Sequence, residues 1–111
     1  MPRHQYSAEE VAHRVLYCEL LFKICEVVFS KKEIVHASEV AKVLGINIGY
    51  AYKLLRKLEK WGVLRGVKDP VNGKLAFKPS NRKVAQIIAE EIKKRRAEEI
   101  SDMILSDIIE K

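Results

Sequence analysis

Lys53, Arg56 and Lys60 lie three or four residues apart within GINIGYAYKLLRKLEKWG, with Lys57 next to Arg56 and Asn47, Tyr50 and Tyr52 just ahead of them. On a helix that spacing collects side chains on one face. Ammonium and guanidinium groups so collected can donate charge-assisted hydrogen bonds to phosphate oxygens. An amide and two phenols at the leading end could also meet base edges, and Gly49 leaves room there for close approach of a backbone. The other chemistry-bearing residues form no comparable set. His4, His13 and His36 have no partner at metal-ligand spacing, and His13 with Cys18, five residues on, misses a shared helical face. No Gly-rich phosphate loop and no nucleophile elbow occur. Glu90, Glu91, Glu98 and Glu99 flank Lys93–Arg96, and they read as a solvated, ion-paired helix surface. The sequence therefore points to no catalytic residue, no metal, no cofactor and no enzyme.

The positive charge is concentrated where those cations lie. Of a net +6, residues 37–83 carry eleven basic against three acidic side chains, a net of +8, while residues 1–36 balance and residues 84–111 come to −2. Such localisation suggests a surface turned towards a polyanion. The 111 residues suit one compact domain, and the 48% apolar fraction opposes disorder. Charges interrupt every apolar run, so no membrane span is expected. MPRHQYSAEE lacks the apolar middle of a signal peptide, and a cytoplasmic location is expected. Cys18 and Cys25 would stand about 10 Å apart on one helix, too far to bridge, and both are expected to be reduced and buried.

The elements that must position the cations follow from local signals. Ser7-Ala8-Glu9-Glu10 reads as a capping box, with Tyr6 and Val11 as a staple, opening a long helix over residues 8–29. Between Val15 and Phe29 only Glu19, Lys23 and Glu26 are charged. A helix so apolar is buried on more than one side, and Leu21, Cys25 and Val28 are expected to meet a second protomer. Ile34–His36 suits a short strand. Ser38 can cap a helix over Glu39–Leu44, ended by Gly45. Asn47 then caps a helix running to Trp61, with Gly62 as its stop, which is helix-turn-helix spacing. Ala51, Leu54, Leu55, Leu58 and Trp61 form its seating stripe. Val63–Val67 and Leu75–Lys78, joined through Asp-Pro and Asn-Gly turn signals, read as a hairpin, and a hairpin in that place is a wing. Ser80 caps a last helix over residues 81–110, about 45 Å long.

The segment ASEVAKVLGINIGYAYKLLRKLEKWGVLRGV resembles the winged helix-turn-helix of archaeal and bacterial transcription regulators. The likeness rests on Val40-Ala41, Leu44-Gly45-Ile46, the Leu55, Leu58, Glu59 core and Gly62-Val63-Leu64, and it covers residues 34–78. Gly49, Tyr52, Leu55, Leu58, Glu59 and Gly62 are similar to the PadR-type pattern, without the His-Gly-Tyr motif expected upstream of it. DPVNGK looks like a MarR-type wing in which Asn72 and Lys74 replace the usual acidic–basic pair.

The expected fold is mainly α (α+β): a winged helix-turn-helix with a long N-terminal helix, a two-stranded wing and a long C-terminal dimerisation helix. Residues 1–80 would form the DNA-binding domain and residues 81–111 the dimerising helix, with Ile100, Ile104 and Ile108 on its terminal apolar stripe beyond the polar Lys93–Glu99. The expected partner is double-stranded DNA, bound by a homodimer. Its contacts would be Ser38, Asn47, Ile48, Gly49, Tyr50, Tyr52, Lys53, Arg56 and Lys57, with Arg65, Lys68 and Lys74 from the wing. An architectural protein of little sequence specificity and, behind it, a winged helix used for protein interaction are the alternatives. No convergent polar set marks an effector site.

Overall fold

Ser7 opens the first helix by accepting the Glu10 N–H at 3.2 Å, as its cap spacing predicts. The computed structural model describes the backbone of residues 7–31 and 34–109, and side chains through residue 102. Among the described residues the order is α1 (Ala8–Tyr17), α2 (Glu19–Ser30), α3 (Ala37–Leu44), α4 (Ile48–Lys60), β1 (Leu64–Lys68), β2 (Leu75–Pro79) and α5 (Lys83–Ile109). The fold is therefore mainly helical with a two-stranded antiparallel wing. No helix among the described residues is long and apolar enough to cross a membrane.

The expected long N-terminal helix is two helices. Cys18 stands between them with φ −96° and ψ 106°, an extended conformation. The reason lies in the phase of the buried residues: Val11, Ala12 and Val15 on α1, and Leu21, Ile24, Cys25 and Val28 on α2. On a straight helix those two sets would be centred roughly 130° apart. One extended residue rephases them onto a common core. Cys18 is consequently exposed rather than buried, while Cys25 is buried. Burial pushes the Cys25 thiol up to about 12, which leaves it a packed, unreactive group.

α3 starts earlier than a Ser38 cap would have it, with His36 as the cap residue and the Glu39 carboxylate accepting the His36 backbone N–H at 3.3 Å. Gly45 ends α3 in the left-handed region at φ 66°, a conformation that costs a side-chain-bearing residue and not glycine. Asn47 Oδ1 then accepts the Gly49 N–H at 2.7 Å and opens α4. Gly62, at φ 83°, turns the chain into β1. The wing pairs Leu64 with Pro79 through Lys68 with Leu75. A third chain segment joins it where Val35 and Phe77 exchange both backbone hydrogen bonds at 2.8 Å, so Ile34–His36 contributes a single bridge.

The core sits where these elements meet. Val15, Ile24, Val28, Val35, Val40, Ala51, Leu55, Leu58, Phe77 and Ile88 are wholly inaccessible. The first half of α5 belongs to it through Val84, Ile88 and Ile92. Past Ile92 no described residue of α5 is buried. The radius of gyration, 16.0 Å, accordingly exceeds the roughly 13 Å of a compact domain this long.

Candidate nucleic-acid interface

Ala51, Leu55 and Leu58 are wholly buried and fix one side of α4 against the core. Its opposite side is then committed to solvent, and it presents Gly49, Lys53, Arg56 and Lys60. Tyr50 and Tyr52 flank that strip, 48% and 43% exposed. Tyr52 is shared between surface and packing, because its ring meets the Phe77 ring edge-on with centroids 6.4 Å apart. Tyr50, Tyr52, Gly49, Lys53 and Arg56 line a shallow concavity of about 570 Å³. Lys53 and Arg56 border a second one with Lys57, Glu59 and Lys60.

The leading end of α4 is built around the Asn47 cap. A Cβ at Gly49 would stand 3.0 Å from the Asn47 oxygen that receives its N–H. Gly49 therefore has a local reason to be small, independent of anything the helix approaches. Ile48 is 54% exposed beside it, an apolar group at the tip of an otherwise cationic face.

Glu59 organises the rest. One carboxylate oxygen accepts from Arg56 Nη1 at 2.7 Å, and the other accepts the Gly66 N–H of β1 at 3.0 Å. Arg56 is thus oriented, and the wing is tied to α4 by the same group. A Cβ on Gly66 would fall 2.3 Å from Glu59 Oε2, so the strand has a glycine where the carboxylate needs the space. Gly66→Ala is expected to displace Glu59 and to cost about 1.5 kcal/mol, the low end for a hydrogen bond to a charged group, because the carboxylate stays partly solvated. Urea unfolding of the variant checks this, and an unchanged midpoint would contradict it.

The wing cations are divided. Arg65 lies directly across the ribbon from Lys78, and alternation sets both on the face opposite to Gly66 and Phe77. Lys68 shares the Phe77 face and extends the Tyr52 side towards the turn. Lys53, Lys60, Arg65, Lys68, Lys74 and Lys78 make no ion pair with any described residue. Like charges directly opposed across a ribbon are unfavourable, which an anionic partner at Arg65 and Lys78 would relieve. Lys57 is turned aside, its Nζ 5.0 Å from the centre of the Trp61 ring. It borders a groove of about 550 Å³ with His13, Arg14, Tyr17, Cys18, Leu21 and Trp61. Ser38 is exposed on the first turn of α3.

A tie that nothing in the sequence announces secures the wing turn. His36 Nε2 lies 2.7 Å from Asp69 Oδ2, joining the start of α3 to the turn across 33 residues of chain. The Val71 N–H, donating to Asp69 Oδ1 at 2.8 Å, and then His36 hold the Asp69 carboxyl below its ordinary value of 3.8. A depressed carboxyl contributes stability above its ordinary value and loses it as pH falls through the lowered one. The Val71 amide resonance is therefore expected to titrate below pH 3.8 and to stop doing so in Asp69→Asn.

Of the residues expected at a dimer interface, Leu21, Cys25 and Val28 are instead core, at 3%, 0% and 0% exposure within one chain. α2 is apolar on most of its circumference because α1, α3, α4, α5 and β2 of its own chain pack on it, with the paired Glu19 and Lys23 on its exposed strip. Ile100 is 58% exposed. Ile104 and Ile108 lie outside the residues whose side chains are described. Among the described residues no three His, Cys, Asp or Glu side chains cluster to hold a metal ion. Glu59, His36 and Asp69 are the positioning residues that sequence reasoning missed; only the Arg56–Glu59 spacing carried a local signal.

No protein-family model matches the sequence, and no curated protein does. Solved structures do share the fold. The adhesin competence repressor of Streptococcus pyogenes superposes with a TM-score of 0.67 over 93% of this chain and 72% of its own, at 22% identity. A MarR family protein from Bacillus stearothermophilus gives 0.63 over 86% of this chain and 69% of its own, at 15% identity. A transcriptional regulator from Thermotoga maritima gives 0.61 over 91% and 69%, at 21% identity. The winged-helix architecture expected from residues 34–78 thus extends to similarity over most of the chain.

Proposed function

We propose that this chain is a DNA-binding transcription regulator, a homodimer that reads duplex DNA with α4 in the major groove and the wing alongside. The observation that carries the reading is the exposed side of α4: Lys53 and Lys60 without an anionic partner among the described residues, and Arg56 aimed by Glu59, on a helix whose other side is fixed in the core. Lone surface cations are ordinary. Here they share one rigid element with a capping amide, two half-exposed tyrosines and a leading glycine. The same architecture occurs in proteins described as transcriptional regulators, which supports the reading at the level of fold.

In this arrangement Asn47, Ile48, Gly49, Tyr50, Tyr52, Lys53 and Arg56 meet base edges and the groove walls. Ser38, Lys68 and Lys74 hold the sugar-phosphate backbone, with Arg65 as an outer contact from the far face of the wing. Lys57, at the edge of this face with its ammonium over Trp61, contributes a phosphate contact at the margin. The part of α5 past the core residue Ile92 supplies the dimer contact in this reading. The uncovered part of α5 past Ile92, with Ile100 exposed, favours it. A twofold axis there would set two α4 helices about 34 Å apart, one turn of duplex.

The test is selection of bound sequences from random duplex DNA at two salt concentrations. A palindromic motif with half-sites one turn apart is expected, and affinity falling with a log–log slope of about −0.9 per neutralised phosphate. Equal recovery of every sequence would replace specific regulation by architectural binding. Failure to retain any duplex would end the DNA reading altogether.

A further inference from the structure

The turn of the wing is braced by hydrogen bonds, and what it holds out is not a cation. Asp69 and Lys74 close the loop, the Asp69 N–H donating to the Lys74 carbonyl at 2.8 Å and the Gly73 N–H to the Asp69 carbonyl at 2.8 Å. Inside it the side chains of Asp69 and Asn72 accept the backbone N–H groups of Val71 and Lys74 at 2.8 and 2.9 Å. Gly73 takes the left-handed conformation, φ 72°, that lets the chain return. The second oxygen of Asp69 reaches His36 at 2.7 Å and anchors the turn to α3. At the apex of this braced loop Val71 is 91% exposed, more than any other large apolar residue described, next to the exposed Pro70.

A side chain with no donor has nothing to offer a phosphate. Yet it is held by bonds that a floppy surface loop does not need, and Lys68 and Lys74 flank it at the two ends of the turn. On a duplex the apolar surface lies within the base stack, reached from the minor groove by side chains that part adjacent base pairs. That groove is about 6 Å wide, and the wing would meet it with its tip, where Pro70 and Val71 stand exposed. A braced tip loses little freedom on insertion, so most of the gain from desolvating it is retained.

From this we infer that the wing of this protein acts as an apolar wedge: Val71, backed by Pro70, inserts into the minor groove beside the α4 contact and partly unstacks one base step, while Lys68 and Lys74 hold the phosphates on either side. The inference rests on the DNA reading proposed above and adds to it a preference that no base contact encodes. Pyrimidine–purine steps part most readily, so the step under each wing is selected for deformability, and the bound duplex is kinked there.

The experiment uses the full-length chain and a mixed-sequence duplex carrying 2-aminopurine at one position at a time, whose fluorescence rises when its stacking is lost. Wild-type protein is expected to brighten one step beside each α4 contact several-fold. Val71→Ser, a change at a solvent-exposed position, is expected to abolish the rise while still binding, and Val71→Leu to preserve it. If wild-type protein binds and no position brightens, or if Val71→Ser brightens the same step equally, the wedge is wrong and the DNA reading stands. If wild-type protein binds no duplex, both fall together.

Discussion

Replacing Phe77 by alanine is expected to lower the unfolding free energy by about 3–5 kcal/mol, the range for removing a fully buried aromatic ring. Phe77 is 0% exposed, and it stands where three parts of the fold join. Its backbone exchanges two hydrogen bonds with Val35, it pairs across the ribbon with Gly66, and its ring borders Tyr52 of α4. No neighbour can collapse into the space without loosening the wing or α4. Urea unfolding should show a lower midpoint at unchanged slope. Phe77→Leu, which keeps most of the volume, should cost less than half as much. A loss below about 1 kcal/mol for the alanine variant would mean that the site relaxes freely, contrary to the packing described.

Arg56→Ala is expected to weaken duplex binding by about 3 kcal/mol, the upper end for an arginine that reads a guanine. The reason for the upper end is Glu59. Once its partner is removed, that carboxylate keeps its bond to Gly66 and so stays at the surface, now facing phosphates without compensation. Glu59→Gln separates the two effects, since an amide oxygen can still accept from Gly66 while carrying no charge. In the double variant the excess loss should disappear. Titrations against duplexes changed at one base pair at a time decide Arg56's role: a loss confined to one position marks a base contact, and a uniform loss marks a phosphate contact. An unaltered affinity would remove Arg56 from the interface.

Legibility followed the range of the interactions. Gly45, Asn47 and Gly62 bound their helices through chemistry contained within a few residues, so their types alone located the turn, α4 and the entry to the wing. Asp-Pro and Asn-Gly did the same for the hairpin. The break at Cys18 involves no glycine or proline. It exists because two buried faces disagree in phase, and which residues are buried is a tertiary fact. Leu21, Cys25 and Val28 are misplaced by their own segment for a similar reason: a helix apolar on most sides must be covered, but its sequence does not say by what. The His36–Asp69 tie spans 33 residues and left no pattern. The division of the wing cations was readable in principle, since Arg65 and Lys68 differ by an odd number of positions on one strand and so face opposite ways.

The corner at Cys18 has a mechanical consequence. α1 is fastened to α5, with Glu9 and Lys83 paired at 3.1 Å above their shared apolar contact, whereas α2 packs on α3, α4 and β2 as well as on α1 and α5. Straightening the corner would swing either Val11 and Val15 or Leu21 and Ile24 out into water. It therefore behaves as a bracket and not as a joint, because opening it either way would give up apolar burial on one of its two arms.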